Sequence, residues 1–275
     1  MTPADALPGA MFAGLAATMA LLDDLVLLSV CILARVGGAL ALVPGLGARV
    51  MPARLRLVAA VMLTALVVPV MAPSLLDRVP ATPAALGGAI LAEAAAGLVI
   101  GLAFRALIFA LQVTGTVAAQ SITLVHLFGT PIEGAGEPSI ATLLTMGGVA
   151  LMLAAGLHVD LVAAIVQLYQ VMPFALAPLS GDVAAFATTR AVGAFGLGLA
   201  LAVPFVLVGF AYNLALGALS RAMPQLLVAL VGVPLLVGLG LVTLWLILPE
   251  MMGRWLSIAG EVMGAPLSAP FGDGA

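Results

Sequence analysis

The chain has 275 residues, of which 64% are hydrophobic and 8% charged, and its mean hydropathy is +1.30. Soluble domains carry about 25% charged residues, so this composition indicates a membrane-class protein. A net charge of −3 with a pI near 5.2 argues against nucleic acid as a partner. Cys31 is the single cysteine, which excludes an internal disulfide and a cysteine-based metal cage. Residues 1–10 lack a positive n-region, so we expect no cleaved secretory signal.

Apolar blocks with short breaks fill the first half of the chain. Their approximate bounds are residues 11–43, 57–72, 84–104 and 106–128. The first break carries three arginines, which the positive-inside rule places in the cytoplasm: Arg49, Arg54 and Arg56. Prolines between residues 73 and 83 predict a turn region. Arg105 alone divides the third block from the fourth.

The second half of the chain also consists of apolar blocks separated by short breaks. Apolar blocks cover residues 139–169, 191–220 and 225–248, and glycine- and proline-rich loops lie at 129–138 and 172–182. Beyond Pro249, apolar side chains predict a short amphipathic helix that ends near Gly264. Trp245 and Trp255 flank Pro249, as in an aromatic belt at a membrane interface. Hydropathy as a whole predicts about six spans of roughly 20 residues each.

Several charged side chains lie inside the apolar blocks. They are Asp23, Asp24, Arg35, Glu93, Arg105, Asp160, Arg190 and Arg221. An Arg or Asp at the centre of a bilayer costs roughly 2.5–3.5 kcal/mol. We therefore expect protein or water around these groups, as in one piece of a helical assembly. For Arg35 and Glu93, the sequence predicts a structural interhelical ion pair, snorkelling to an interface, or a polar step along a pathway.

Two other polar features have two interpretations each. His158 and Asp160 belong either to a proton relay or to an interfacial helix end. Thr116, Gln120 and Thr123 recur at i, i+4 and i+7, on one face of a polar half-helix. That face either lines an aqueous lumen or packs against a polar partner helix.

No catalytic or ligand-binding motif occurs in the sequence. There is no P-loop, no dinucleotide-binding glycine motif, no HExxH and no serine nucleophile elbow. His126 and His158 have no supporting cluster of metal ligands. We therefore predict no catalytic residue, no bound cofactor, no metal site and no enzyme activity.

An ordered series of motifs extends over nearly the whole chain. The first half contains Arg35, Pro44, Arg49-Val50-Met51-Pro52, Pro69, Glu93, Gly97, Gly101 and Gly115. The second half contains Gly156-Leu157-His158, Pro173, Pro204, Gly217 to Ser220, Arg221, Pro224, Gln225, Pro234 and Gly238. The series, and above all the Arg-x-x-Pro-Gln turn, resembles the FliR/SctT family of type III export-gate subunits. The resemblance gives Gly115, His158, Pro204, Gly217, Arg221, Pro224 and Gln225 a structural role.

The resemblance implies an all-α membrane-class fold of tilted helical hairpins within a hetero-oligomeric export gate. It implies one domain over residues 1–275, with a FliP-like part at about 11–182, a FliQ-like part at 183–264 and a flexible tail at 265–275. The implied partners are FliP-like, FliQ-like, FlhB-like and FlhA-like proteins, the lipid bilayer and exported unfolded proteins. No cofactor is implied.

The resemblance also implies a place for the polar loop after residue 120. Members of the family use this segment to help plug the lumen of the closed gate. The residues predicted to form the plug here are Thr123, His126, Gly129, Thr130, Pro131, Glu133, Gly134, Gly136 and Glu137.

The predicted function is that of a non-enzymatic core subunit of the flagellar type III protein export gate. The predicted location is the bacterial inner membrane, in the flagellar basal body, with much of the assembly on the periplasmic side. The alternatives are a virulence-type SctT subunit and a small secondary transporter, although the sequence lacks the internal symmetry that many such transporters show.

Overall fold

The computed structural model describes residues 3–43, 52–80, 82–123, 139–178, 180–222, 228–265 and 267. Seven α-helices and one short 3-10 helix occur among these residues, and no strand does. The α-helices are α1 (Pro3–Leu42), α2 (Ala53–Leu75), α3 (Pro83–Thr123), α4 (Ser139–Ala154), α5 (Leu157–Val171), α6 (Ser180–Ala222) and α7 (Val228–Gly264). The 3-10 helix is Leu76–Arg78.

The helices do not follow the apolar blocks one to one. The third and fourth blocks form a single helix, α3, because an exposed arginine such as Arg105 is a good helix former and does not end a helix. The block predicted at 139–169 is instead divided into α4 and α5 at Gly156. The φ of Gly156 is +97°, a conformation that favours glycine.

Two proline predictions are also corrected. Pro73 does not open a turn, because α2 continues through it to Leu75. Pro249 does not begin a separate short helix, because α7 runs through it to Gly264. A proline inside a helix removes one backbone hydrogen bond, and the other bonds of α2 and α7 continue on both sides of it.

Among the described residues, five helical segments are long and apolar enough to cross a membrane, or six if α4 and α5 count as one broken span. This confirms the predicted all-α membrane-class fold. The 41 residues of α3 extend roughly 60 Å at 1.5 Å per residue. A bilayer core is only about 30 Å thick. The likeness to a FliP-like part joined to a FliQ-like part stays a prediction.

The chain divides into two compact units. Unit 1 contains residues 1–102 and 161–184. Its helices α1 and α3 approach backbone to backbone at glycines. A Cβ atom on Gly97 would overlap the carbonyl oxygen of Arg35, and one on Gly101 would lie 2.5 Å from the carbonyl oxygen of Ala39. This proximity is what small-xxx-small motifs provide in membrane helices.

Unit 2 contains residues 103–160 and 185–275. Its centre is the second part of α3, residues 103–123, where Phe104, Leu107 and Leu111 are fully buried. Helix α6 runs parallel to this part, since Gly198 meets Ala110 and Gly209 meets Ser121.

Two more helices of unit 2 pack on the same part of α3 in the opposite direction. Gly148 of α4 meets Leu111, while Ala141 lies against Gly115. On α7, Gly240 meets Ile122, and Trp255 contacts Leu107 farther along. The numbers rise on α7 while they fall on α3, so the two helices are antiparallel here. The second part of α3 is thus the axis around which α4, α6 and α7 are arranged.

Candidate functional site

The most distinctive polar site in the described chain is a buried ion pair in unit 1. Arg35 of α1 and Glu93 of α3 are both fully buried. Their helices are close enough for this contact because Gly38 and Gly97 bring the two backbones together. The Arg35 Nε atom lies 2.7 Å from Glu93 Oε2, and Arg35 Nη2 donates to Glu93 Oε1 at 3.0 Å. One of these contacts is a charge-assisted hydrogen bond, and the other brings the two opposite charges together.

A third helix contributes to the site. The hydroxyl of Tyr169, on α5, donates to Glu93 Oε2 at 3.0 Å. The guanidinium of Arg35 lies over the ring of the same tyrosine, with 3.6 Å between Cζ and the ring centroid. A desolvated cation over an aromatic ring gains up to about 2 kcal/mol. Tyr169 therefore contacts both members of the pair.

Two backbone groups complete the site. The amide of Ala175 donates to Glu93 Oε1 at 2.9 Å. The carbonyl oxygen of Met172 accepts from Arg35 Nη2 at 3.2 Å. Both groups lie just after α5, so the pair also orders the segment that leaves this helix.

The two sides of the pair differ in how well they are satisfied. Glu93 accepts three hydrogen bonds, from Arg35 Nη2, the Tyr169 hydroxyl and the Ala175 amide. The Nε of Arg35 is close to Oε2 but is not aligned for a hydrogen bond, and Nη1 has no hydrogen-bond partner among the described residues. These hydrogen bonds tie Glu93 to α1, α5 and the segment after α5, which favours a structural role.

No metal or acid–base chemistry is evident in the described part of the chain. No group of three or more His, Cys, Asp or Glu side chains converges there. His158 is exposed at the beginning of α5, and Asp160 is half-buried one turn along.

The structure places only part of the other predicted residues. Thr123 is the last residue of α3. The remaining plug residues, from His126 to Glu137, lie outside the described residues, as do Pro224 and Gln225. The plug therefore stays a prediction.

The family-motif residues within the described ranges occupy helices. Gly115 lies against Ala141 of α4 and leaves no room for a side chain. Pro204 is inside α6. Gly217 and Arg221 belong to the last two turns of α6, and Arg221 is exposed.

The polar face of α3 is partly exposed. Thr116 is half-buried and donates to the Gln112 carbonyl of its own helix at 2.8 Å. Gln120 is exposed. In the isolated chain, this face is compatible with lining an aqueous lumen and with packing against a polar partner helix.

The sequence reasoning missed or misread several residues. Trp255 was predicted in an aromatic belt but is fully buried, and its Nε1 donates to the Leu107 carbonyl at 3.0 Å. Trp245 is 76% exposed, as a belt residue would be. The sequence does not predict Tyr169 at the ion pair. A usable signal exists, because Tyr169 is a polar aromatic residue in an apolar block and other apolar blocks carry buried charges that need partners. Ala175 carries no signal, since only its backbone takes part.

Comparison with known proteins gives consistent matches. The sequence profile of the bacterial export proteins, family 1, matches residues 26–262. The flagellar biosynthetic protein FliR of Caulobacter vibrioides is 34% identical over 233 residues, which cover 84% of this chain and 92% of that relative. The FliR proteins of Pectobacterium carotovorum and Escherichia coli K12 are 29% and 28% identical over 155 residues, 56% of this chain and 59% of each relative.

Proposed function

This chain belongs to the bacterial export proteins, family 1, and from that premise we propose that it is a non-enzymatic core subunit of the flagellar type III protein export gate. The observation that carries the proposal is the match to a flagellar biosynthetic protein over 84% of this chain. In this role the chain forms part of the channel through which unfolded flagellar proteins leave the cytoplasm.

The lengths and surfaces of the helices support a place within an assembly. Helices of roughly 60 Å exceed the hydrocarbon core about twofold. Asp23 and Asp24 are exposed inside the apolar segment of α1, and Arg105 is exposed near the middle of α3. A charge in such a position requires water or a protein partner. FliP-like and FliQ-like subunits provide that cover in our proposal, with FlhB-like and FlhA-like components beside them.

The proposed location is the inner membrane, in the flagellar basal body. The apolar helices support a membrane location, and the flagellar relatives support the basal body. The segment from Thr123 to Glu137 acts as the plug of the closed gate in this proposal, because it follows the polar end of α3.

Co-purification tests the function directly. The chain, carrying a C-terminal affinity tag, is extracted from its own bacterium in mild detergent. We expect FliP-like and FliQ-like proteins to elute with it in fixed ratio. Recovery of the chain alone, folded and transporting a solute in liposomes, would instead support the secondary-transporter alternative. Recovery with virulence-type components would support the SctT alternative.

Ion leak tests the plug. Deletion of residues 129–136 in the assembled complex is expected to raise ion conductance, because the loop no longer obstructs the lumen. Substitution of the exposed Ala177 by Gly is a control that leaves the loop intact. Equal conductance of the deletion variant and the unaltered complex would remove the plug from the proposal.

A further inference from the structure

The segment after α5 contains a backbone conformation that a non-glycine residue rarely adopts. Ala175 has a φ of +61°, and it is the one non-glycine residue with positive φ among those that the structure describes. Residues 173–176 form a four-residue turn, here called the Ala175 turn, closed by the Leu176 amide on the Pro173 carbonyl at 3.2 Å. Ala175 occupies its third position, where a positive φ normally selects glycine.

The ion pair holds this turn from two sides. Glu93 accepts the Ala175 amide, and Arg35 donates to the Met172 carbonyl immediately before the turn. Each backbone dipole therefore meets the charge that attracts it. A left-handed conformation of this kind persists only where its surroundings impose it. Here the surroundings include the two charged groups.

We propose that the Ala175 turn is a strained latch that stays closed while Arg35 and Glu93 are paired and opens when they separate. Arg35 lies on α1 and Glu93 on α3, so a displacement between these helices changes the two contacts that hold the turn. The turn precedes the beginning of α6 at Ser180. Opening therefore frees the chain segment that leads into α6. This inference does not depend on the export function.

Alanine, rather than glycine, is what makes the latch able to open. Glycine adopts a positive φ without steric strain, so a glycine turn would remain closed more of the time. Alanine in the same conformation stores strain that is released on opening. Tyr169 opposes opening, because it bonds Glu93 and stacks on Arg35.

Hydrogen–deuterium exchange of the full chain in detergent micelles tests the latch. The readout is the exchange rate of a peptide covering residues 172–178, corrected for the intrinsic rate of each amide. Ala175→Gly is expected to slow this exchange about fivefold, because it removes the strain of the closed state. The matched control is Ala177→Gly, an exposed position outside the turn, which is expected not to slow exchange.

A second variant tests the ion pair's part. Tyr169→Phe removes one hydroxyl that donates to a buried carboxylate, and we expect about tenfold faster exchange at residues 172–178. Exchange at residues 103–111, in unit 2, should stay unchanged. The proposal is overturned if both glycine variants change exchange alike, or if Tyr169→Phe fails to accelerate exchange at 172–178 more than at 103–111.

Discussion

Unit 1 joins its helices around a buried pair of opposite charges, whereas unit 2 joins its helices through uncharged groups packed at glycines. In unit 1, Arg35 and Glu93 link α1 to α3, and Tyr169 adds α5. In unit 2, the hydrogen bonds between described helices include those of the Trp255 indole and the Thr114 hydroxyl. Both units use close glycine contacts, and unit 1 adds the buried ion pair of Arg35 and Glu93.

Unit 2 also buries a cation, Arg190. Arg190 is 4% exposed and lies over the ring of Phe186, on its own helix α6, at 5.0 Å. The contacts of Arg35 extend to α3, α5 and the segment after α5.

The difference teaches where each unit gains specificity. Burial of an ion pair costs desolvation free energy, which the attraction and the hydrogen bonds of the pair only partly offset. The pair forms only when the two helices lie in one relative position, so it adds specificity. Glycine contacts cost no desolvation of charge, and they depend on shape and on hydrogen bonds that average about 0.6 kcal/mol in a membrane protein. We therefore expect unit 1 to be sensitive to charge and unit 2 to be sensitive to volume.

The largest effect is expected from loss of one charge in unit 1. Glu93→Ala leaves Arg35 buried without its anion, which costs about 3–5 kcal/mol of the free energy of unfolding. Thermal unfolding of the purified chain in detergent measures it. The matched control is Glu261→Ala, at an exposed position of α7, which should leave the midpoint within error. Similar midpoints for the two variants would contradict the assigned role of the pair.

The next effect concerns volume in unit 2. A Cβ atom on Gly198 would lie 2.7 Å from the Ala110 carbonyl oxygen and from Val113 Cβ, so Gly198→Ala should cost about 1–3 kcal/mol. Gly196, two residues earlier, faces open space, and Gly196→Ala should stabilise α6 by up to about 1 kcal/mol. The same unfolding experiment measures both, and shifts of the same sign would argue against the close contact of α3 with α6.

The smallest effect concerns one uncharged hydrogen bond in unit 2. Thr114 donates through its hydroxyl to the Gly198 carbonyl at 3.0 Å and to Ala110 of its own helix at 2.9 Å. Thr114→Val keeps the shape and removes the bond between helices, at an expected cost of about 0.6 kcal/mol. Thr189→Val serves as control, because the exposed Thr189 hydroxyl bonds the carbonyl of Ala185 in its own helix. A cost above about 2 kcal/mol would exceed the largest such bond measured in membrane helices. It would contradict the expectation that polar contacts contribute little to the stability of unit 2.

Much of the fold was predictable because composition and hydropathy identify apolar helices directly. The residues at which the helices begin and end were harder to predict. Arg105 was read as a boundary, yet α3 continues through it, since a single charge does not disrupt backbone hydrogen bonds. The sequence predicts a separate short helix beyond Pro249, yet α7 passes through this residue. Local signals predict where a helix can end, while tertiary packing decides whether it does.

The candidate site was half predictable for a similar reason. Arg35 and Glu93 are conspicuous as opposite charges in separate apolar blocks, and the structure brings them to 2.7 Å. Met172 and Ala175 contact the pair through backbone groups, which every residue type carries. The sequence therefore could not predict these two contacts. Trp255 was misread because an indole suits both a membrane interface and a core with a nearby carbonyl.

A charge-swap cycle at Arg35 and Glu93 is the most direct test of the account. The variants are Arg35→Glu, Glu93→Arg and the double variant, and the measurement is the thermal midpoint and assembled fraction of each. We expect the double variant to exceed both single variants, because opposite charges are restored. It should remain below the natural chain, because Met172 and Ala175 then face the wrong charge. Equal results for all three variants would contradict the pairing of Arg35 with Glu93 as the organising contact of unit 1.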